Sequence, residues 1–374
     1  MWTIGLMSGT SADGVDGVLV EWPPDGRPRQ LHHEYRPFDD ALRHSLLALN
    51  RSGPDELHRS ALAANALARV YADVVTALLA SSGLPGREVA AIGAHGQTVR
   101  HQPGLHDGTG YTLQLLNAAL LAELCGIDVV HDLRSRDVAA GGQGAPLVPA
   151  LHQALFAAPD EVVAVLNIGG IANLSLLPPP SASPPGAVRG FDCGPGNALM
   201  DSWCESHTGQ PYDAEGRWAA QGRPIPALLT RLLSEPFLTL PPPKSTGRDL
   251  FDRHWLEPRL EGFAHTAPAD VQATLAEFTV QAAAQALMAQ APDTSRLVVC
   301  GGGARNRLLM DRLAAHLPRV KVIDSGQLGL PVDQVEALAF AWLARAHLLQ
   351  QPGNLPAVTG ARGSRRLGSL TPAR

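Results

Sequence analysis

The sequence predicts an α/β protein of two lobes built on one plan used twice, and three observations carry that prediction. The chain has 374 residues, more than twice the roughly 150 that one compact domain usually holds. Two apolar strand-turn-strand openings stand at residues 4–20 and 162–177. Each is followed by helical and strand-like segments in alternation, the pattern of sheets covered by helices. A duplication of this kind leaves a cleft between lobes, where ligands bind. We place the first lobe at residues 1–130, joined by the C-terminal helix at 345–374, and the second lobe at 131–344.

The elements follow in order. Ile4 and Leu6, then Val15 and Val18 to Val20, flank the glycine-containing stretch 8–14 as two strands of a hairpin. From Asp55 to Leu79 the apolar residues Leu57, Ala61, Ala64, Leu67, Ala68, Tyr71, Val74, Val75 and Leu78 recur at three- and four-residue steps. That is the helical period, and it stops near Ser81-Ser82-Gly83. Val89 to Ala94 is short and apolar and runs into His95-Gly96-Gln97, a strand ending in a loop suited to function. A helix at 117–125 and a strand at 127–130 come next. The second opening is Val162 to Leu177, and the proline-rich tract 178–185 after it is an exposed connector. A helix at 271–291, a strand at 297–300, a helix at 306–317 and a last helix at 335–350 complete the second half.

Composition narrows the chemistry. At 45% hydrophobic and 17% charged residues the chain can bury a large core. A net charge of −5 leaves no basic surplus for a nucleic acid or an anionic membrane surface. The first residues lack the positive start and apolar stretch of a secretory signal, and no run approaches 18 apolar residues, so we expect a cytoplasmic protein with no membrane segment. Cys125, Cys193, Cys204 and Cys300 form no Cys-x-x-Cys pair and read as inert, mostly buried side chains. No metal site is expected among the protein side chains.

Three loops carry the candidate chemistry. Gly9, Thr10, Ser11, Ala12, Asp13, Gly14, Val15 and Asp16 combine glycines, hydroxyls and acids, the ingredients of a backbone turn that approaches a phosphate closely. It is no Walker A loop, and an ordinary hairpin turn accounts for it equally well when it is taken alone. Asp192 precedes Gly194-Pro195-Gly196-Asn197 and a helix beginning at Ala198. A carboxylate, a glycine turn and the positive end of a helix suit general-base work beside a phosphoryl group, although Asp at such a place also serves as a turn former or N-cap. Gly301 and Gly302, in the run Gly301-Gly302-Gly303 after a strand, with Asn306 opening the next helix, suit a nucleotide site at the carboxyl edge of a sheet. Together the three loops point to a nucleotide between lobes. Gln97 and Thr98 beside His95, and Arg134 in the stretch 133–146, could hold a polyhydroxylated acid; His95 could instead be a core histidine and Arg134 a surface ion-pair partner. Glu336 either faces the cleft or faces water.

Longer motifs connect these pieces. They are Met7-Ser8-Gly9-Thr10-Ser11-Ala12-Asp13-Gly14-Val15-Asp16, Gly96-Gln97-Thr98-Val99, Arg136-Asp137 with Gly141-Gly142-Gln143-Gly144-Ala145-Pro146-Leu147-Val148-Pro149, Asn167-Ile168-Gly169-Gly170-Ile171-Ala172-Asn173, Asp192-Cys193-Gly194-Pro195-Gly196-Asn197, Pro243-Lys244-Ser245-Thr246-Gly247-Arg248 and Glu336-Ala337-Leu338-Ala339-Phe340-Ala341-Trp342. In this order, from about residue 4 to about residue 362, the chain resembles the anhydro-N-acetylmuramic acid kinases. The resemblance implies two ribonuclease-H-like lobes of the sugar kinase, Hsp70 and actin fold, with an interlobe cleft for ATP and substrate. It implies hydrolytic opening of the 1,6-anhydro ring with phosphorylation of O6, a step in recycling cell-wall fragments, with Mg²⁺ beside the ATP. By the same resemblance Asp192 is the general base, the loop Gly9 to Asp16 with Gly194, Asn197, Gly301, Gly302 and Asn306 holds ATP, and Gln97, Thr98, Arg134 and Glu336 contact the sugar. A homodimer is what the family suggests. Where members usually continue Ile-Gly-Asp after Thr112-Leu113-Gln114, this chain reads Leu115-Leu116-Asn117; an acid lost from the pocket and a helix cap of equal quality are the two readings. A kinase of another sugar or carboxylate, or a nucleotide-gated switch of the same superfamily, remains as an alternative.

Overall fold

The computed structural model describes residues 1–9, 12–23, 28–181, 186–246 and 250–374. Packing divides the chain into two compact units, Met1–Leu151 with Gln334–Arg374, and His152–Asp333.

The first unit is built on β1 (Trp2–Met7), β2 (Gly14–Glu21), β3 (Arg29–Pro37), β4 (Val89–Ala94), β5 (Gln97–Pro103), β6 (Gly110–Leu115) and β7 (Val129–His131). Its main sheet runs Ser369–Thr371, β7, β4, β1, β2, β3, and β5 pairs with β6 apart from it. β1 to β3 are antiparallel, whereas β4 and β7 run parallel to β1. Ile4 and Leu6 join Leu67, Tyr71, Val74, Val75 and Leu78 of helix Glu56–Ser82 in one core. Gly5, between Ile4 and Leu6, points to the other face by the alternation of a strand. A Cβ there would stand 2.0 Å from the Ala337 carbonyl oxygen, and one on Gly93 2.0 Å from that of Phe340. Helix Val335–Leu348 therefore lies directly on the backbone of β1 and β4, and two glycines make that approach possible.

Helix Glu56–Ser82 corrects one sequence reading, because it is long and apolar enough, by length and composition, to cross a membrane. Its buried face is the core of the first unit, which accounts for that hydropathy without a bilayer.

The second unit carries β8 (Val163–Ile168), β9 (Ile171–Leu177), β10 (Arg189–Pro195), β11 (Arg296–Cys300) and β12 (Lys321–Asp324). They run in the order β10, β9, β8, β11, β12, with β8 to β10 antiparallel and β11 and β12 parallel to β8. Helix Pro268–Gln290 is the most buried element, presenting Val271, Leu275, Phe278 and Leu287 to the core. It starts three residues earlier than the periodicity indicates, because Pro268 occupies the first turn, where its missing N–H costs nothing.

Both sheets thus follow one strand order, third, second, first, fourth, fifth, which is the ribonuclease-H-like plan and the duplication foreseen from the two hairpins. The units divide at 151 and 334, where the sequence reading placed the boundaries at 130 and 345. Two contacts account for the difference. Asp137 accepts hydrogen bonds from Asn354 Nδ2 at 2.6 Å and Thr359 Oγ1 at 2.8 Å, and helix Val335–Leu348 packs on β1 and β4. Long-range packing, invisible in local composition, assigns both stretches to the first unit. All four cysteines are free thiols, with Cys193, Cys204 and Cys300 buried. Of the proline-rich connector, residues 182–185 lie outside the described residues.

Candidate active site

In the first unit the turn after β1 is closed by the Ala12 N–H on the Gly9 carbonyl at 3.1 Å. Ala12 is buried at a φ of +50°, a strained setting for a side chain and a mark of a turn held by its surroundings. Thr10 and Ser11 lie outside the described residues. Strand β2 begins at Gly14, so Gly14, Val15 and Asp16 are strand rather than turn. Val15 is fully buried, and Asp16 bonds His33 Nε2 at 3.0 Å. Asp13 is exposed, and its backbone carbonyl accepts from Phe38 N–H and Tyr35 O–H.

Behind this turn stands a polar network. Ser8 Oγ donates to the Gly96 carbonyl at 3.0 Å and meets Tyr71 Oη at 2.9 Å. His95 Nδ1 lies 3.2 Å from the Ser8 carbonyl, which fixes the proton on that nitrogen. His95 Nε2 then accepts from Arg134 Nε and Nη2 at 3.1 and 3.0 Å. Burial, and then the Arg134 charge, press His95 down to about 3, so the ring is neutral. The core-histidine reading and the site reading both hold: His95 is buried, and it aims Arg134. The guanidinium also donates to the Gly144 carbonyl at 2.8 Å. Desolvation lowers Arg134 to about 10, with Glu336 and Asp137 opposing the shift, so Arg134 keeps its charge and shares one electrostatic neighbourhood with Glu336. It is no surface ion-pair arginine.

Gln97 is 2% exposed and donates through Nε2 to the Gly9 carbonyl at 2.9 Å, fastening the turn after β1. Its Oε1 is buried with no hydrogen-bond partner among the described residues, and a buried acceptor of this kind calls for a donor. Thr98 Oγ1 accepts from Gln114 Nε2 at 3.2 Å. In the first unit Gln97 and Thr98 thus open β5, Arg134 follows β7, and Glu336 stands at the start of helix Val335–Leu348. Asn117 caps helix Ala118–Cys125, accepting from the Leu120 N–H at 3.0 Å, and donates to Asn65 Oδ1 at 2.7 Å. Both amide groups are used in structure, which decides for the helix cap.

In the second unit Asp192 lies inside β10, where the pairing with β9 shifts between Asp192 and Gly194. A bulge of this kind re-aims a side chain, and the N-cap and turn readings do not apply. Asp192 Oδ2 accepts from the Thr246 N–H at 2.8 Å. Burial raises the carboxyl to about 6, and the Thr246 bond and the Lys244 charge only partly offset it. Lys244 itself donates to the Phe237 and Leu238 carbonyls at 3.0 and 2.8 Å, so it is a fixed cation near the acid. Gly247 and Arg248 of that motif lie outside the described residues.

Three turns meet beside Asp192's strand. The N–H groups of Gly196, Asn197 and Ala198 all donate to the carbonyls of Gly169 and Gly170, at 2.8 to 3.2 Å. Of these donors only Ala198 belongs to the helix that follows, so the contacts fasten the turn Gly196-Asn197 to the turn at 169–170 and use one donor of the helix end. Asn197 Nδ2 donates to the Ile168 carbonyl at 3.1 Å. Gly301 has a φ of +80°, and a Cβ there would stand 2.4 Å from Asn167 Oδ1. Gly303 would collide with Ile168 at 2.3 Å, whereas Gly302 meets nothing nearer than Asn197 Nδ2 at 3.7 Å. Of the three glycines only Gly302 could carry a Cβ without a clash among the described residues. Asn306 caps helix Arg307–His316 through the Leu309 N–H at 3.2 Å. The structure therefore brings Asn197 and Gly301 against the turn at 167–170, with Gly302 beside Asn197, whereas Gly194 pairs with Ala172 of β9 and faces Ala282 and Leu238.

The model of the anhydro-N-acetylmuramic acid kinase family matches residues 1–373. The chain belongs to that family. It is 60% identical over 370 residues to an anhydro-N-acetylmuramic acid kinase of Variovorax paradoxus, covering 99% of this chain and 98% of the relative. It is 62% identical over 374 residues to one from Bordetella petrii, covering 99% and 96%.

Several supporting residues escaped the sequence reading. Thr246 and Lys244 lie more than fifty positions from Asp192, and Asn167, Gly169 and Gly170 were read only as a second hairpin. The family motifs held all of them, but their distance in sequence from the acid concealed the contact.

Proposed function

We propose that the chain is an ATP-dependent kinase that opens the 1,6-anhydro ring of anhydro-N-acetylmuramic acid and phosphorylates O6, giving N-acetylmuramic acid 6-phosphate and ADP. Family membership over residues 1–373 supports the reaction class. The single observation that carries the mechanism is Asp192, a carboxylate set at a bulge, held by the Thr246 N–H and raised to about 6 by burial. A base with a pKa a little below neutral is ionised at working pH yet still able to accept a proton. Asp192 takes a proton from water, the water oxygen bonds to the anomeric carbon, the bond from that carbon to O6 breaks, and O6 takes the γ-phosphoryl group. Arg134, locked by His95 and Gly144, pairs with the sugar carboxylate. Gln97 Oε1, unpartnered among the described residues, accepts from a sugar donor, and Glu336 and Thr98 complete the acceptor contacts.

For ATP, the turn after β1 from Gly9 to Asp13 and the loops at 167–170, 196–197 and 301–306 supply backbone and small side chains. Among the described residues no cluster of three His, Cys, Asp or Glu side chains forms a ready metal cage. That fits Mg²⁺, which keeps its waters and binds through substrate phosphates and one or two carboxylates, here the exposed Asp13. When bound, Mg²⁺ would offset the negative charge of the phosphates during transfer. A reaction that consumes ATP belongs in the cytoplasm, where ATP is made.

Incubation with ATP, Mg²⁺ and anhydro-N-acetylmuramic acid in ¹⁸O-labelled water should place the label on the anomeric carbon of a 6-phosphorylated product. A phosphorylated product with its ring intact would instead favour ordinary sugar phosphorylation. Asp192→Asn should lower turnover at least about 100-fold with ATP affinity nearly unchanged, because a carboxamide cannot accept the proton.

A further inference from the structure

A cavity of about 490 Å³ opens in the first unit. Its walls come from Asp132, Ser135 and Arg136 at the start of helix Ser135–Ala139, from His347, and from Arg366 and Ser369. None of the residues assigned to the acceptor lines it. Glu336 and His347 lie at opposite ends of helix Val335–Leu348, which separates them by roughly 16 Å at the helical rise.

The two arginines are presented for an external partner. Arg366 Nη2 lies 2.8 Å from His347 Nε2, and His347 Nδ1 lies 2.7 Å from the Leu367 carbonyl. The carbonyl places the imidazole proton on Nδ1, so Nε2 accepts from Arg366. His347 is 6% exposed and cannot swing away. Arg366 is therefore aimed by an imidazole rather than by a carboxylate. Arg136 is exposed on the facing helix. Neither arginine enters the ion pairs found among the described residues. Asp132 is the one acid in the lining, against two guanidinium groups, in a chain whose net charge is −5. Ser135 and Ser369 add hydroxyls.

We propose that this cavity binds a small phosphomonoester of sugar-phosphate size, its phosphate held between Arg136 and Arg366 and its hydroxyl groups meeting Ser135 and Ser369. Two guanidinium groups on separate walls match the three terminal oxygens of a phosphate better than the two of a carboxylate. The volume lies in the range of small-ligand sites and exceeds what inorganic phosphate alone would fill. The assignment does not depend on the reaction proposed above, because binding is read without turnover.

The test titrates the full-length protein calorimetrically with glucose 6-phosphate, inorganic phosphate and glucuronate. Glucose 6-phosphate should bind saturably, with phosphate weaker and glucuronate at least about tenfold weaker. The double variant Arg136→Gln, Arg366→Gln should weaken glucose 6-phosphate by at least about tenfold, and so should Ala139→Glu, which sets a carboxylate at the exposed rim. Turnover of the anhydrosugar should stay within about threefold of the parent in both variants. Should the double variant fail to fold, Ala139→Glu carries the same comparison. The proposal is overturned by absence of saturable binding, by binding that the folded variants leave unchanged, or by glucuronate binding as well as the phosphate. A collapse of turnover in a folded variant would overturn it too, by making the cavity part of the acceptor site.

Discussion

Three successive glycines answer to three different neighbours. Gly301 and Gly303 are required by the protein itself, because a Cβ would meet Asn167 and Ile168 at 2.4 and 2.3 Å, whereas one on Gly302 would make only an ordinary contact with Asn197 Nδ2 at 3.7 Å. Gly301→Ala should therefore cost about 2 kcal/mol or more in urea unfolding, through the clash and the positive φ. Gly302→Ala should leave stability within about 0.5 kcal/mol and raise the KM for ATP about tenfold. An unchanged KM in a Gly302→Ala enzyme would remove this glycine from the nucleotide cradle. Asp192 makes a second prediction at the same scale. Its carboxyl is raised to about 6 and must be ionised to act, so kcat/KM should fall about tenfold per pH unit below that value and level off above about 7. A profile that stays flat from about pH 5 to about 8 would show that another group is the base. The identities of Asp192 and Gly302 could be read from the sequence, since an acid before a glycine turn and glycines after a strand are local patterns. That Thr246 holds the acid could not, because the two meet only when a loop folds back onto β10.

Helix Val335–Leu348 shows the same division at the level of an element. Its existence follows from an apolar run of the right length, but its place does not. The carbonyls of Ala337 and Phe340 rest on Gly5 and Gly93, so a single added methyl has no room. Gly93→Ala should lower stability by about 3 kcal/mol, measured by urea unfolding, because backbone rather than a flexible side chain must give way. The same seating puts Glu336 near Arg134 and sends the boundary of the first unit to 334. Asn117 works in the other direction. Its role as a cap was one of two readings open to sequence, and the hydrogen bonds to Leu120 and Asn65 chose it.

At the level of the whole molecule, the second unit is one continuous segment, His152–Asp333, with its own sheet and core, while the first is closed by two separate stretches. A chain of residues 152–333 should unfold cooperatively by circular dichroism and urea. A chain of residues 1–151 should not, since it lacks the helix that covers Gly5 and Gly93 and the strand Ser369–Thr371 that pairs with β7. Cooperative unfolding of 1–151 alone would show that the helix is dispensable to that core. By itself the sequence determined the α/β class, the two hairpin openings, most helix spans and the chemical character of the three loops, because each rests on periodicity or turn chemistry within a few residues. Only the tertiary structure decided which unit residues 131–151 and 334–344 join, that His95 aims Arg134, and that the turn Gly196-Asn197 is fastened to Gly169 and Gly170. Those facts depend on contacts between residues far apart in the chain, and local pattern carries no record of where distant backbone will lie.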